Sequence, residues 1–126
     1  MIARLWFSLG ALAALLAVGL GAYAAHGLRR VAEAAHVAVF QTGVDYQFVH
    51  ALALLACAWA ATQWPTRLVT IAALCFLAGM LAFSGSLYAL VLTAWRPWPL
   101  ITPAGGLALM LGWLCLAAAP WTQRRH

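Results

Sequence analysis

Residues 68–92 read LVTIAALCFLAGMLAFSGSLYALVL, a stretch without a single charged side chain. About 20 residues of α-helix cross the roughly 30 Å hydrocarbon core of a bilayer, so this stretch is long enough to span it. In lipid every backbone amide and carbonyl needs a partner within the protein, and a single apolar segment meets that need as a helix. The stretch therefore predicts a transmembrane helix.

Three further segments have the same character. Residues 5–28, 46–66 and 97–123 also lack charged side chains, and arginine or aspartate bounds each of them. We place the four spans near residues 5–25, 44–61, 68–92 and 103–119. Their connections are short, which makes consecutive helices antiparallel neighbours. The predicted fold class is an all-α membrane protein, with residues 1–126 forming one four-transmembrane-helix bundle.

The first span has an alternative interpretation as a signal peptide. Arg4 precedes the apolar run, and Ala22-Tyr23-Ala24 imitates a small-residue cleavage site. The run is longer than the usual apolar region of a signal peptide, so we expect a retained helix.

The composition disfavours soluble classes of protein. Of 126 residues, 67% are hydrophobic and 7% are charged, whereas soluble domains are about half apolar and about a quarter charged. The formal net charge is +5, and each arginine sits beside an apolar run. That placement favours anchoring to anionic lipid headgroups over binding of nucleic acid. The lipid bilayer is the expected partner, and no nucleic acid is expected.

The arginines also favour one orientation in the membrane. Cytoplasmic segments carry the excess of basic residues, and one side of the predicted bundle has the amino terminus and the larger group of arginines. We therefore expect both termini in the cytoplasm. The larger group is Arg4, Arg67, Arg124 and Arg125, and the smaller group is Arg29, Arg30 and Arg96.

The segment after the first span has a different pattern. Small apolar residues recur at helical spacing between Val31 and Val39, while Arg30, Glu33 and His36 fall largely elsewhere on the helical wheel. This pattern predicts a short amphipathic helix over about residues 30–40, lying in the membrane interface. A break is expected at Thr42-Gly43, before the second span begins.

Small residues form a stripe on three of the predicted helices. Helices in lipid gain no hydrophobic free energy by associating, so close approach of small residues must supply the attraction. We expect the stripes to pack inward, which leaves faces rich in Leu, Phe and Trp for lipid or for a second protomer of a homo-oligomer. The stripes are Gly10, Ala14, Ala17 and Gly21; Gly79, Ala82, Ser86, Ala89 and Thr93; and Gly105, Ala108, Gly112 and Ala119.

Polar side chains collect in one half of the predicted membrane, nearest the first and third connections. An ionised aspartate near mid-membrane costs about 2.5–3.5 kcal/mol, so such residues usually face the bundle and find partners. The candidate cluster comprises His26, Gln41, Asp45, Tyr46, Gln47, His50, Ser84, Ser86, Tyr88 and Thr102.

Two interpretations of this polar cluster stay open. In the first it is a structural clasp, in which interhelical hydrogen bonds of about 0.6–2 kcal/mol each tie the helix ends together. In the second it lines a pocket open to one side, which takes a lipid headgroup, a small polar ligand or a proton. A conduit built on that pocket would need an oligomer, because four helices are too few to gate one easily.

More specific chemistry has weaker support. Ser84 and Ser86 with His50 would suggest a nucleophile and base, but hydrogen-bond reach and an oxyanion site are required, and serine beside glycine usually serves packing. His26 and His50 as haem or metal ligands lack any supporting motif. The three cysteines, Cys57, Cys75 and Cys115, have no redox or metal-ligand spacing and are expected to be inert thiols, with a soft-metal trio as the alternative. We therefore expect a non-enzymatic membrane protein that binds a lipid or a protein partner, with no catalytic residue, metal or cofactor.

Four ordered strings carry a family resemblance over nearly the whole chain. They are GAYAAHGL at 21–28, QTGVDYQFVHALALL at 41–55, FSGSLYALVLT at 83–93 and ITPAGG at 101–106. The chain resembles the YgdD-like family of small uncharacterised integral membrane proteins. The resemblance implies a four-helix protein of the bacterial inner membrane and implies no enzyme activity. Asp45, Tyr23 and Ala24 stand where Glu, Phe and Gly are expected in that family.

Overall fold

The computed structural model describes residues 1–93 and 100–123, so three of the arginines that favour the predicted orientation, Arg96, Arg124 and Arg125, lie outside the described residues. The main elements are α1 (Ile2–Ala25), α2 (Ala34–Gln63), α3 (Arg67–Leu92) and α4 (Ile101–Ala118). Short 3-10 turns at Leu28–Arg30 and Ala119–Trp121 follow α1 and α4. All four helices are long and apolar enough to cross a membrane. The predicted all-α, four-transmembrane-helix class is confirmed.

The separate interfacial helix is not confirmed. Residues 34–63 form one continuous helix, and the expected break at Thr42-Gly43 does not occur. The Thr42 hydroxyl donates to the carbonyl of Ala38, 3.0 Å away within the same helix. A Cβ on Gly43 would lie 2.8 Å from the Tyr88 ring of α3. Gly43 therefore permits a close approach between helices, and it does not end one.

Each helix packs mainly on its neighbour in sequence: α1 on α2, α2 on α3, and α3 on α4. Within the described residues, α1 and α4 share no comparable interface. The contacts run antiparallel, since Gly10 of α1 meets Ala51 of α2 while Gly21 meets Val44. The bundle is therefore open at one side, with α2 and α3 at its centre.

Glycines set the separation of α3 and α4. A Cβ on Gly79 would lie 2.5 Å from the Leu109 side chain, one on Gly105 would lie 2.5 Å from the backbone nitrogen of Phe83, and one on Gly112 would lie 2.7 Å from the Phe76 ring. These members of the predicted stripes thus pack inward. Thr93 of the α3 stripe is instead exposed, and its hydroxyl donates to the carbonyl of Ala89.

The core lies between the two central helices. Phe40 and Leu54 of α2 and Phe76 of α3 are completely buried. The outer helices turn large apolar side chains outward: Leu15 and Leu16 of α1 are each more than half exposed, as is Leu114 of α4. In a bilayer those exposed side chains meet lipid at no hydrophobic cost.

Candidate functional site

One buried side chain joins three helices. The amide nitrogen of Gln47 on α2 donates to the carbonyl of Ala13 on α1 at 2.9 Å. The hydroxyl of Tyr88 on α3 donates to the Gln47 amide oxygen at 2.6 Å. The side chain of Gln47 is 9% exposed, so both bonds form away from bulk solvent. Gln47 therefore holds α1 and α3 at fixed positions on the two flanks of α2.

Serine and threonine hydroxyls make two further interhelical bonds. Ser84 of α3 donates to the carbonyl of Gly43 on α2 at 2.7 Å. Ser86 donates to the carbonyl of Phe83 at 2.8 Å. Because that bond uses its only hydroxyl proton, the Thr102 hydroxyl of α4 must be the donor in the 2.6 Å bond to Ser86. These contacts fasten α3 to both of its neighbours.

His50 is buried in a defined protonation state. Its Nδ1 lies 2.6 Å from the carbonyl of Tyr46, and its Nε2 lies 3.0 Å from the indole nitrogen of Trp113 on α4. An indole N–H can only donate, so Nε2 accepts and Nδ1 carries the proton. His50 is therefore a neutral imidazole that links α2 to α4, and a second proton would displace the Trp113 bond.

The remaining members of the predicted cluster lie apart from these bonds. His26 is exposed at the end of α1. The Gln41 amide donates to the Asp45 carboxylate at 2.8 Å, within α2. Tyr46 is 45% exposed, and its ring packs on Phe83 with centroids 4.5 Å apart. The structure thus divides the cluster, and we use the name clasp for the part that links helices: Gln47, His50, Ser84, Ser86, Tyr88 and Thr102.

Several partners in the clasp are absent from the sequence-based cluster. Gln47 and Ser84 bond to backbone carbonyls, at Ala13 and Gly43, and no residue type marks a carbonyl as an acceptor. Trp113 belongs to a residue type that the composition of the helix faces places toward lipid. It is partly exposed, and its indole nitrogen turns inward to His50. The sequence signal available for this contact is a polar residue, His50, on another helix.

The described residues do not assemble the catalytic or metal sites considered above. The hydroxyls of Ser84 and Ser86 have partners other than His50. Within residues 1–93 and 100–123, no group of His, Cys, Asp and Glu side chains is placed to hold a metal ion. Cys57 is buried as a free thiol.

An apolar groove runs along the flank of the bundle between α1 and α3. Its volume is about 350 Å³. The rims are open, because Leu12 and Leu16 of α1 and Leu81 of α3 are each more than half exposed. Gln47 and Tyr88, joined by their hydrogen bond, are the polar residues of its lining. The remaining lining residues are Leu9, Ala13, Leu20, Leu77, Met80 and Gly85.

Gly85 makes the groove deeper on the α3 side. Apart from its two chain neighbours and the nearby backbone of its own helix, no atom of the described residues lies within 4 Å of a Cβ built at this position. The same holds for Gly19 of α1, which does not line the groove. The two glycines form a matched pair: a side chain added at Gly85 enters the groove, and one added at Gly19 does not.

Comparison with known proteins identifies relatives of this chain. Residues 20–106 match the family described as "Protein of unknown function (DUF423)". A UPF0382 membrane protein, YwdK of Bacillus subtilis, is 41% identical over 92% of this chain and 95% of its own length. A UPF0382 membrane protein of Haemophilus influenzae is 40% identical, over 89% and 90%.

A more distant relative covers almost the whole chain. The UPF0382 inner membrane protein YgdD of Escherichia coli is 34% identical over 99% of this chain and 96% of its own length. No solved structure matches the chain. The relatives are named as membrane proteins, which agrees with the four helices long enough to span a membrane. YgdD is among them, which agrees with the resemblance carried by the four strings.

Proposed function

We propose that this chain, which belongs to the DUF423 family of membrane proteins of unknown function, is a non-enzymatic lipid-binding protein of the bacterial inner membrane. Its groove between α1 and α3 holds one acyl chain of a membrane lipid. The observation that carries the proposal is the groove itself, which has a volume of about 350 Å³, a mostly apolar lining and exposed leucines at its rims. That volume lies within the range of about 300–1,000 Å³ usual for small-molecule sites.

The clasp supports this proposal by keeping the groove in shape. An acyl chain gains no hydrophobic free energy when it leaves bulk lipid for another apolar surface, so its retention depends on van der Waals packing. Packing of that kind requires walls at a fixed separation. Gln47 sets the separation through its bonds to the Ala13 carbonyl and to Tyr88. The clasp is thus structural, and lipid binds beside it.

The state of the polar groups supports a role without chemistry. A serine nucleophile needs a base within hydrogen-bond reach. Ser84 donates to a backbone carbonyl, while His50 bonds to Tyr46 and Trp113. Each of these side chains is occupied in holding helices together, which favours binding over catalysis.

Filling the groove is expected to displace the acyl chain. Gly85→Leu places a side chain in open space, so the bundle should fold while the groove loses volume. We expect labelling by a phospholipid with a photoreactive group in its acyl chain to fall at least about fivefold, which corresponds to about 1 kcal/mol of lost packing. The measurement is the yield of labelled peptides from α1 and α3 after illumination in vesicles.

The matched control for that variant is Gly19→Leu. It adds the same side chain at another open glycine outside the groove, and its labelling should equal that of the unmodified protein. Undiminished labelling of folded Gly85→Leu would refute the acyl-chain site. An equal fall in both variants would show that the label reports general exposure to lipid.

We also propose that both termini face the cytoplasm, as the distribution of arginines favours. The amino terminus and Arg67 lie at the same end of the antiparallel bundle, opposite Arg29 and Arg30. A reporter that is active only outside the cytoplasm should be silent when fused to the carboxyl terminus and active when inserted after Arg30. The reverse pattern of reporter activity would show that both termini lie outside the cytoplasm.

A further inference from the structure

A second cavity lies where α1 ends and α2 begins. Its volume is about 440 Å³, and it shares no lining residue with the groove. The end of α1 provides Ala24 and Ala25, and the first turns of α2 provide Ala34 and Ala38. The cavity is therefore a separate feature, and its interpretation does not depend on the acyl-chain groove.

The position along the helices places this cavity at the level of lipid headgroups. Arg4 marks one membrane boundary near the start of α1. About 20 helical residues cross the hydrocarbon core, which brings the chain to Ala24 and Ala25 at the opposite boundary. The 3-10 turn Leu28–Arg30 then lies beyond the hydrocarbon. A ligand in this cavity would meet headgroups above it and acyl chains below.

The lining residues are mostly alanine, and two of them are polar, Arg29 and Gln41. The guanidinium of Arg29 brings a permanent positive charge and the planar donor array that suits phosphate oxygens. The Gln41 amide is tethered to Asp45, and that carboxylate disfavours a multiply charged anion nearby. The alanine walls favour a ligand that has an apolar part as well as a phosphate.

We infer that this cavity binds the phosphodiester headgroup of a membrane phospholipid, with the Arg29 guanidinium on the phosphate and the alanine walls against the glycerol and upper acyl carbons. A phosphodiester carries a single negative charge and an apolar body, and these match the lining better than inorganic phosphate does. The adjacent Arg30 carries the same charge and does not line the cavity.

Arg29 and Arg30 provide the test. The whole protein is reconstituted with phosphatidylglycerol, extracted in mild detergent and weighed by native mass spectrometry. We expect Arg29→Gln to lower the affinity for the retained lipid at least about tenfold, the loss of a charge-assisted contact. Arg30→Gln should retain lipid as the unmodified protein does. An equal loss in both variants, or no loss in Arg29→Gln, would overturn the site.

Two further measurements separate this site from its alternatives. Ala38→Leu fills the cavity without changing any charge, at an exposed position, and should also lose the lipid; full retention would contradict the proposal. Inorganic phosphate added at millimolar concentration should leave the lipid in place, and its displacement would assign the cavity to free phosphate. Gly85→Leu should keep this lipid, which distinguishes the cavity from the groove.

Discussion

Gly105→Ala is expected to lower the free energy of unfolding by more than about 3 kcal/mol, at or beyond the upper end of the usual cost of overpacking. A Cβ at this position would lie 2.5 Å from the backbone nitrogen of Phe83 and 3.0 Å from the carbonyl carbon of Ala82. Both are main-chain atoms of α3, which cannot rotate aside as a side chain can. The two helices would have to separate, loosening the contacts at Gly79 and Gly112 as well.

The neighbouring glycine supplies a control for this prediction. A Cβ at Gly106 would lie 3.7 Å from the Phe83 ring, an ordinary contact. Gly106→Ala should stay within about 1 kcal/mol of the unmodified protein, on the stabilising side because alanine favours helix. Reversible unfolding in mixed micelles measures the free energy of unfolding of both variants.

Gly79→Leu and Gly112→Leu should lose stability as Gly105→Ala does, whereas Leu16→Ala, at a lipid-facing site, should not. Equal stability of all these variants would contradict the close packing.

Gln47→Leu is the second change with a large expected effect, a loss of about 2 kcal/mol in the free energy of unfolding. The substitution leaves the Tyr88 hydroxyl, whose bond is partly buried, without its acceptor and removes the tie to the Ala13 carbonyl. A buried polar group deprived of its partner costs about 1–3 kcal/mol. The loss should come with increased protease access to α1, because α1 is held to the bundle along one side.

A double-mutant cycle with Tyr88→Phe tests the mechanism. The two substitutions remove opposite ends of one hydrogen bond, so their effects should be less than additive, by about 1 kcal/mol. Gln41→Leu serves as the control, since among the described residues that amide bonds to Asp45 of its own helix and to no other helix. Strictly additive effects of Gln47→Leu and Tyr88→Phe would show that the Gln47–Tyr88 hydrogen bond does not stabilise the contact between α2 and α3.

The number of spans was predictable from the sequence because the hydrocarbon core sets a single length that each apolar run must meet. That the helix continues through Thr42-Gly43 was not predictable. Glycine breaks a helix when the backbone needs unusual dihedrals and permits contact when a neighbour approaches, and the same letters serve both purposes. Here the neighbour is Tyr88, 45 residues further along, and local sequence carries no information about it.

The candidate site shows the same limit. Depth along each helix can be read from the sequence, and it places Gln47 and Tyr88, which share a hydrogen bond, at a common level of the bundle. Helical spacing separates Gln47, which is buried, from Asp45, which is exposed two residues earlier. Spacing does not tell which atoms of α1 and α3 each inward side chain meets. The groove was also beyond reach, because it arises where α1 and α3 fail to meet.

The pairing of each helix with the one before it has a consequence for biosynthesis. As the chain leaves the ribosome and enters the membrane, every new segment finds its main neighbour already inserted, and no early segment must wait for the last one. Such local pairing shortens the search during assembly. Since α1 and α4 have no substantial interface within the described residues, insertion of α4 does not complete a closed ring of helices. A nascent chain that stops after α3 already contains both of the central helices, α2 and α3.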